Sequence, residues 1–281
     1  MLQIEEGYTN NPADFEEINS SIIDVATLDI SPVPHQKNNG FQNPEKLSFK
    51  NRLAMFFIGF SYGGLFLIEI LGALIVTGLI EDNKPLANIV LESFAYGVLF
   101  IIFLVIAFQN KKHFIEEFKG KHKWINGLIL GFVCLALELL LSTVISVLFP
   151  SDTNANQAVV ESLTKSYPTI MLIVTVIIGP MCEELTYRVG LYGALREKNK
   201  NIAFIVSGLL FALMHMSFTD TTLLAELTAL PIYLLIAYFL NYAYEKHGLA
   251  CSYVTHMILN LMSFIAIMSI WEKFLNWAHF G

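Results

Sequence analysis

The chain has 281 residues, of which 55% are hydrophobic and 15% charged, with a mean hydropathy of +0.57 and a formal net charge of −7. Soluble domains are usually about a quarter charged and less than half apolar, so this composition excludes an ordinary soluble domain and indicates a membrane protein. Residues 1–50, the most acidic part of the chain, contain no basic cluster, which argues against nucleic acid as a partner.

The chain opens with an acidic segment, residues 1–50, that holds eight Asp and Glu against three Lys. Proline and an Asn-Asn-Gly stretch interrupt any periodicity there, so we predict a flexible cytoplasmic segment. Its polar, acidic start does not predict a signal peptide. The segment could bind a partner, although a solvated extension without chemistry is the simpler interpretation.

Apolar runs fill most of the remaining chain, and a run of about 20 such residues crosses a bilayer as a helix. Their continuous apolarity favours helices over the alternating strands of a barrel. The sequence therefore predicts an all-α, polytopic transmembrane helix bundle of about seven spans, or eight if one further helix is present. The seven runs lie at roughly 54–79, 88–108, 126–149, 169–189, 202–218, 222–243 and 249–270.

Lys and Arg are concentrated in alternate loops, which predicts their cytoplasmic side. Five lysines lie between 111 and 123, and further basic residues precede the first run, follow the fourth and precede the seventh. The loops between are poor in Lys and Arg. We therefore expect a multi-pass integral membrane protein of the plasma membrane with its N-terminus in the cytoplasm.

Three short motifs place ionisable and polar residues in or beside these runs, where they are costly and commonly functional. The first is Glu183-Glu184-x-x-x-Arg188, in which Glu184 and Arg188 are four residues apart and can pair. That pairing leaves Glu183 without a cation on its own helix, which favours a chemical role for it and a structural role for the pair.

The second and third motifs are Phe211-x-x-x-His215 and His256-x-x-x-Asn260. His256 and Asn260 share a helix face, and both side chains can donate a hydrogen bond to an oxyanion. Each motif alone would also be explained by hydrogen bonds between helices. The three together predict a site that activates water.

In this order on successive membrane helices, the three motifs resemble the CPBP family, which contains type II CAAX-processing (Rce1-like) endopeptidases and the Abi proteins. The resemblance covers roughly residues 124–270. It divides the chain into the acidic segment 1–50, two additional transmembrane helices with a basic loop at 51–123, the CPBP-like core at 124–270 and a tail at 271–281.

The resemblance implies an intramembrane endopeptidase that cleaves a peptide or protein in or at the lipid bilayer. Glu183 and His215 would activate the attacking water, and His256 and Asn260 would stabilise the oxyanion. Glu184, Arg188 and Phe211 would be structural. A glutamate-type mechanism without metal is favoured, because no H-E-x-x-H motif is present; Glu183, His215 and His256 are the ligands if zinc is bound.

Two other functions remain open from the sequence. A transporter would use buried acids such as Glu69, Glu138 and Glu226 as ion relays, but the two halves show no internal repeat. A non-catalytic immunity or regulatory protein on the same fold would not need Glu183 and His215. The three cysteines, Cys134, Cys182 and Cys251, are predicted to be core residues, with no C-x-x-C spacing for metal.

Overall fold

A computed structural model describes residues 45–61, 63–77, 80, 83–217 and 223–269, which belong to one compact unit. Most of the acidic segment, residues 1–44, and the whole predicted tail lie outside these described residues. The described part is an all-α, polytopic bundle. Its helices are α1 (Phe49–Gly59), α2 (Gly64–Thr77), α3 (Lys84–Phe108), α4 (Lys111–Glu117), α5 (Lys121–Leu148), α6 (Ala155–Ser166), α7 (Pro168–Arg196), α8 (Lys200–Leu213), α9 (Leu223–His247) and α10 (Leu249–Ile267).

Six of the seven predicted apolar runs each fall on one helix, and the first falls on two. Not every one of these helices is long enough to cross a bilayer alone. Within the described residues, five helices pass that test: α3, α5, α7, α9 and α10. The first run is broken into α1 and α2, a bent pair that makes a sixth span if the two helices count as one. The fifth run forms α8, whose 14 residues extend only about 21 Å.

Helix α7 departs from regular α-helical geometry. Two segments within it, Leu172–Ile178 and Glu184–Tyr192, have the wider turns of a π-helix. Such turns are rare and occur frequently at functional sites. The second segment begins at Glu184, so the first motif lies where the helix changes its winding.

Small residues allow the central helices to approach closely, as is common in membrane bundles. On α5, a Cβ atom at Gly127 would lie 2.7 Å from the side chain of Val254, and one at Gly131 would lie 2.8 Å from Ile258. Thr255 on α10 also donates a hydrogen bond to the carbonyl oxygen of Gly127 at 3.2 Å. These contacts fix α10, which carries the third motif, against α5.

Polar contacts join several helix ends at one side of the bundle. Glu245, near the end of α9, accepts hydrogen bonds from Arg196 at 2.9 Å and pairs with Lys200 at 3.1 Å. Glu117 accepts hydrogen bonds from the Lys123 ammonium at 2.9 Å and the Leu249 amide at 3.2 Å. The basic loops of the sequence therefore meet at the same end.

The opposite end is closed by α6 and the start of α9. The Ala155 amide donates to Glu226 at 2.9 Å, and the side-chain amides of Asn154 and Asn156 donate to the Tyr233 hydroxyl at 3.3 and 3.2 Å. Glu226, considered above as a transporter relay, thus caps the backbone that leads into α6 and also accepts from the Ser217 amide.

Candidate active site

The three motifs meet at Glu183, which lies near the middle of α7. Its Oε2 atom is 3.7 Å from Nε2 of His215 and 3.7 Å from Nε2 of His256. These separations exceed a direct hydrogen bond but suit one water molecule that contacts all three groups. Residues from α7, the end of α8 and α10 are therefore brought to one point.

Glu184 faces away from that point and holds His256 from behind. Its Oε1 atom is 3.0 Å from Nδ1 of His256, and its Oε2 accepts a short hydrogen bond from the Ser252 hydroxyl. A carboxylate accepts only, so His256 donates through Nδ1 and directs Nε2 towards Glu183. The two adjacent glutamates thus contact opposite nitrogens of one imidazole ring.

Arg188 is fully buried beside this carboxylate. Its Nη1 atom is 3.4 Å from Glu184 Oε1, and its guanidinium lies 4.3 Å above the ring of Phe211. Both partners are 0% exposed, and Arg188 does not line the cavity described below. The geometry places the cation behind the site rather than in it.

His215 is positioned by the end of α8. The helix ends at Leu213, which leaves its last carbonyl groups without the next helical amides. His215 Nδ1 donates to the Phe211 carbonyl at 2.8 Å, which caps the helix and directs Nε2 towards Glu183. The imidazole also stacks on the Tyr233 ring, with centroids 4.7 Å apart.

Asn260 lies one helical turn beyond His256 on α10. Its side-chain amide donates to the Thr175 carbonyl in the first π segment of α7 at 2.7 Å. An amide group carries two protons, so a second donor remains. Asn260 lines the same cavity as Glu183, His215 and His256.

The cavity has a volume of about 420 Å³. The side chains of Glu183 and His215 are 20% and 19% exposed, whereas that of His256 is 5% exposed. The side chains of Glu183 and His215 are therefore partly exposed to the cavity, although Glu183 Oε2 itself is buried, and His256 is almost fully covered.

The three converging residues offer the ligand types of a catalytic zinc site, in which zinc lies about 2.0–2.2 Å from each ligand. In the part of the chain that the structure describes, no group of three or more His, Cys, Asp and Glu residues has the spacing to hold a metal ion. The mechanism proposed below uses side chains alone.

Residues 165–262 match the family described as type II CAAX prenyl endopeptidase Rce1-like. Over this segment the chain is similar to that family. The match contains all three motifs, and at the level of the family it supports an intramembrane protease.

Three curated proteins are similar to the chain. An uncharacterized protein of Mycoplasma capricolum is 28% identical over 65% of this chain and 56% of its own length. The UPF0177 protein YvdC of Lactococcus lactis is 28% identical over 60% of this chain and 64% of its own length. The UPF0177 protein YxdF of the same organism is 34% identical over 32% of this chain and 46% of its own length. The chain thus spans about half to two thirds of these relatives. No solved structure matches it.

Sequence reasoning missed Ser252, Glu92 and Tyr96. Ser252 precedes His256 by four residues, so Ser252, His256 and Asn260 form one polar stripe on α10 that was visible in the sequence. Glu92 and Tyr96 interrupt the apolar run of α3 and line the cavity. Their polar character in a membrane run was the available signal, but no motif linked them to Glu183.

Proposed function

We propose that the protein is an intramembrane endopeptidase that uses water activated by Glu183 and His215. The observation that carries this proposal is the convergence of Glu183 with two histidines on the wall of a cavity inside the helix bundle. The family match supports the same reaction class. A binding protein without catalysis would not require a carboxylate that faces two imidazole nitrogens on the wall of a cavity.

The attacking water lies between Glu183 Oε2 and His215 Nε2 in this mechanism. Glu183 accepts a proton from the water as its oxygen attacks the scissile carbonyl carbon. The protonated Glu183 then gives this proton to the leaving amine as the C–N bond breaks, so that an acid and an amine are released and the carboxylate is restored. His215 Nε2 accepts the second proton of the water in a hydrogen bond and orients the attack.

The oxyanion is held by His256 and Asn260. With both ring nitrogens carrying protons, His256 donates through Nε2 to the oxyanion while Nδ1 donates to the Glu184 carboxylate. Asn260 contributes the amide proton that Thr175 does not use. Such donors have their largest effect where water is excluded, at about 3 kcal/mol each.

The substrate is a protein or peptide in or at the membrane. Two classes fit the proposal: a prenylated protein with a C-terminal CAAX sequence, and a leader, bacteriocin or signal peptide. The protein would act in the plasma membrane with its N-terminus in the cytoplasm, and neither nucleic acid nor a metal ion would take part.

The test is cleavage by purified protein in nanodiscs, with an internally quenched, farnesylated CAAX peptide and a set of internally quenched apolar peptides as probes. Glu183→Gln removes the base and should lower kcat at least about 100-fold with an unchanged melting temperature. Glu69→Gln, on α2 and not among the residues that line the cavity, is the matched control and should retain activity.

Exhaustive chelation tests the metal-free mechanism in the same assay. Activity should persist, and purified protein should carry far less than one equivalent of zinc. Full activity of Glu183→Gln would disprove the role of the base, and zinc-dependent recovery after chelation would replace the metal-free mechanism with a metalloprotease. If the wild-type protein cleaves none of the probes, a non-catalytic immunity or regulatory function becomes the better proposal.

A further inference from the structure

The carboxylate of Glu183 has a single hydrogen-bond donor among the described residues. The hydroxyl of Tyr96 donates to Oε1 at 3.5 Å, and Oε2 has no hydrogen-bond partner. Arg188, the nearest cation on the same helix, pairs with Glu184 instead. An ionised carboxylate in an apolar bundle is costly unless donors stabilise it, so this one contact is important for Glu183.

Neither histidine replaces Tyr96 in this role. Nδ1 of His215 is committed to the Phe211 carbonyl, and Nδ1 of His256 is committed to Glu184. Their Nε2 atoms stand 3.7 Å from Oε2, beyond direct hydrogen-bond distance. The two oxygens of Glu183 therefore face different neighbours: Oε1 faces a phenol, and the buried Oε2 faces the two imidazole Nε2 atoms.

Tyr96 is held firmly enough to act as a fixed donor. The Cys182 thiol donates to its backbone carbonyl at 3.8 Å, so α3 is attached to α7 immediately before Glu183. The neighbouring residues Ala95 and Leu99 are 1% exposed and belong to the same apolar core as Cys182. Gly179 on α7 packs beside the phenol ring: a Cβ atom there would lie 3.8 Å from Tyr96 Cε1, which is an ordinary van der Waals distance.

We propose that Tyr96 is a positioning residue for the proposed peptidase reaction: its hydroxyl holds Oε1 of Glu183 so that Oε2 is presented to the attacking water. The inference rests on the proposed function. It assigns a role to α3, which lies outside the family-matched segment 165–262. The site of this protein is then incomplete without a helix that the family match does not include.

The kinetic test is Tyr96→Phe, which removes one oxygen atom and keeps the ring. A hydrogen bond to a charged group corresponds to a change of about 10- to 100-fold in rate, so kcat should fall by that factor with KM and melting temperature unchanged. Tyr253→Phe is the matched control, because the Tyr253 hydroxyl also donates to α7, at the Ile177 carbonyl, but Tyr253 does not line the cavity. An unchanged kcat in Tyr96→Phe, or an equal loss in both variants, would overturn the role.

A second measurement needs no substrate. Infrared difference spectra at one fixed pH identify the carboxylate stretch of Glu183 as the band that Glu183→Gln removes. Tyr96→Phe should shift this band and Tyr253→Phe should not; an unshifted band would show that the contact does not exist.

The two measurements separate the two proposals. If the wild-type protein cleaves none of the probes, the proposed function fails, and the positioning role fails with it even where the band shifts. If the wild-type protein is active while neither the band nor kcat responds to Tyr96→Phe, only the role of Tyr96 is refuted.

Discussion

Arg188 shows how a charge is accommodated inside this bundle. It is 0% exposed, lies 3.4 Å from Glu184 and 4.3 Å above the Phe211 ring, and makes no hydrogen bond to another described residue through its guanidinium nitrogens. A carboxylate and an aromatic face together compensate the cation in low dielectric. The contacts favour the structural role predicted for Arg188 from its spacing to Glu184.

Replacing Arg188 should therefore affect stability first. In Arg188→Ala the buried Glu184 loses its cation, and breaking such a pair costs about 3–5 kcal/mol. We expect a clearly lower melting temperature and folded yield in detergent. Lys200→Ala is the control: its ammonium is 45% exposed and pairs with Glu245, so its loss should cost less than about 1 kcal/mol. A stable but inactive Arg188→Ala protein would instead place Arg188 in substrate binding.

For individual residues, the sequence alone predicted contacts only where two residues are spaced as neighbours on one helix face. Glu184 with Arg188, and His256 with Asn260, lie four apart on one helix, so their neighbourhood follows from helix geometry. The contact between Glu184 and His256 joins residues on α7 and α10, and no spacing rule gives it. The same holds for Tyr96 and Glu183, which are 87 positions apart.

Among the elements, α1 packs closely against α7, the helix that carries the first motif. A Cβ atom at Gly59 would lie 1.9 Å from the Thr186 hydroxyl, and one at Gly193 would lie 2.0 Å from Nη1 of Arg52. Arg52 is fully buried, donates to the Val189 carbonyl at 2.6 Å and pairs with Glu45 at 3.1 Å. Residues preceding the family-matched segment thus hold the π segment that begins at Glu184.

Glu45 belongs to the last part of the predicted acidic segment, and there it packs against the bundle. Its carboxylate is fully buried and accepts hydrogen bonds from the Tyr244 hydroxyl at 3.0 and 3.1 Å. Burial raises the pKa of Glu45, and the Arg52 guanidinium opposes that rise. A flexible segment was predicted because its acidic composition and its Pro and Asn-Asn-Gly interruptions show no helical period. Buried acidic residues are rare, and here Arg52 and Tyr244 compensate the buried Glu45.

Gly193→Ala tests the crossing of α1 and α7. The added methyl group must displace the Arg52 guanidinium from Val189 and Glu45, since no smaller movement removes a 2.0 Å contact. Overpacking of this kind costs about 1–3 kcal/mol, which should lower the melting temperature. The control is Gly97→Ala on α3, where a Cβ atom has nothing within 4 Å, and it should be neutral or slightly stabilising. Equal effects of both substitutions would contradict the crossing.

Helix α8 is the element that differs most from the span that its apolar pattern predicts. The run at 202–218 predicts a span, but the helix ends at Leu213 and His215 lies in the turn that follows. Ending there frees the Phe211 carbonyl for His215 Nδ1. The physical reason is that a histidine facing a carboxylate inside the bundle favours the contact over one further helical turn.

At the scale of the whole molecule, charge distribution predicts orientation. The basic loops that contain Lys123, Arg196 and Lys200 meet acidic partners at one end of the bundle. Positive charge in short loops marks the cytoplasmic side, so we expect this end to face the cytoplasm and the Asp152 loop to face outward. Because Glu183 lies near the middle of α7, the proposed base would then lie within the bilayer.

Cysteine labelling in intact cells checks this orientation. In a background without Cys134, Cys182 and Cys251, which are all buried and free, single cysteines are placed at the exposed positions Lys121, Lys198 and Asp152. An impermeant thiol reagent should label the cysteine at Asp152 and spare the other two until the membrane is opened. Labelling at 121 and 198 with protection at 152 would reverse the orientation and the side from which substrate arrives.

The sequence alone predicted an all-α membrane bundle and selected Glu183 with two histidines as a candidate site, because apolar length and the cost of intramembrane charge are local properties of the chain. Motif spacing likewise separated Glu183 from the paired Glu184 and Arg188. Only the tertiary structure decided that α8 ends at Leu213, that α7 contains π turns, that Arg52 and Tyr96 contact α7, and that Glu45 is buried against Arg52 and Tyr244. Those features depend on close approach between helices distant in sequence, which no local pattern records.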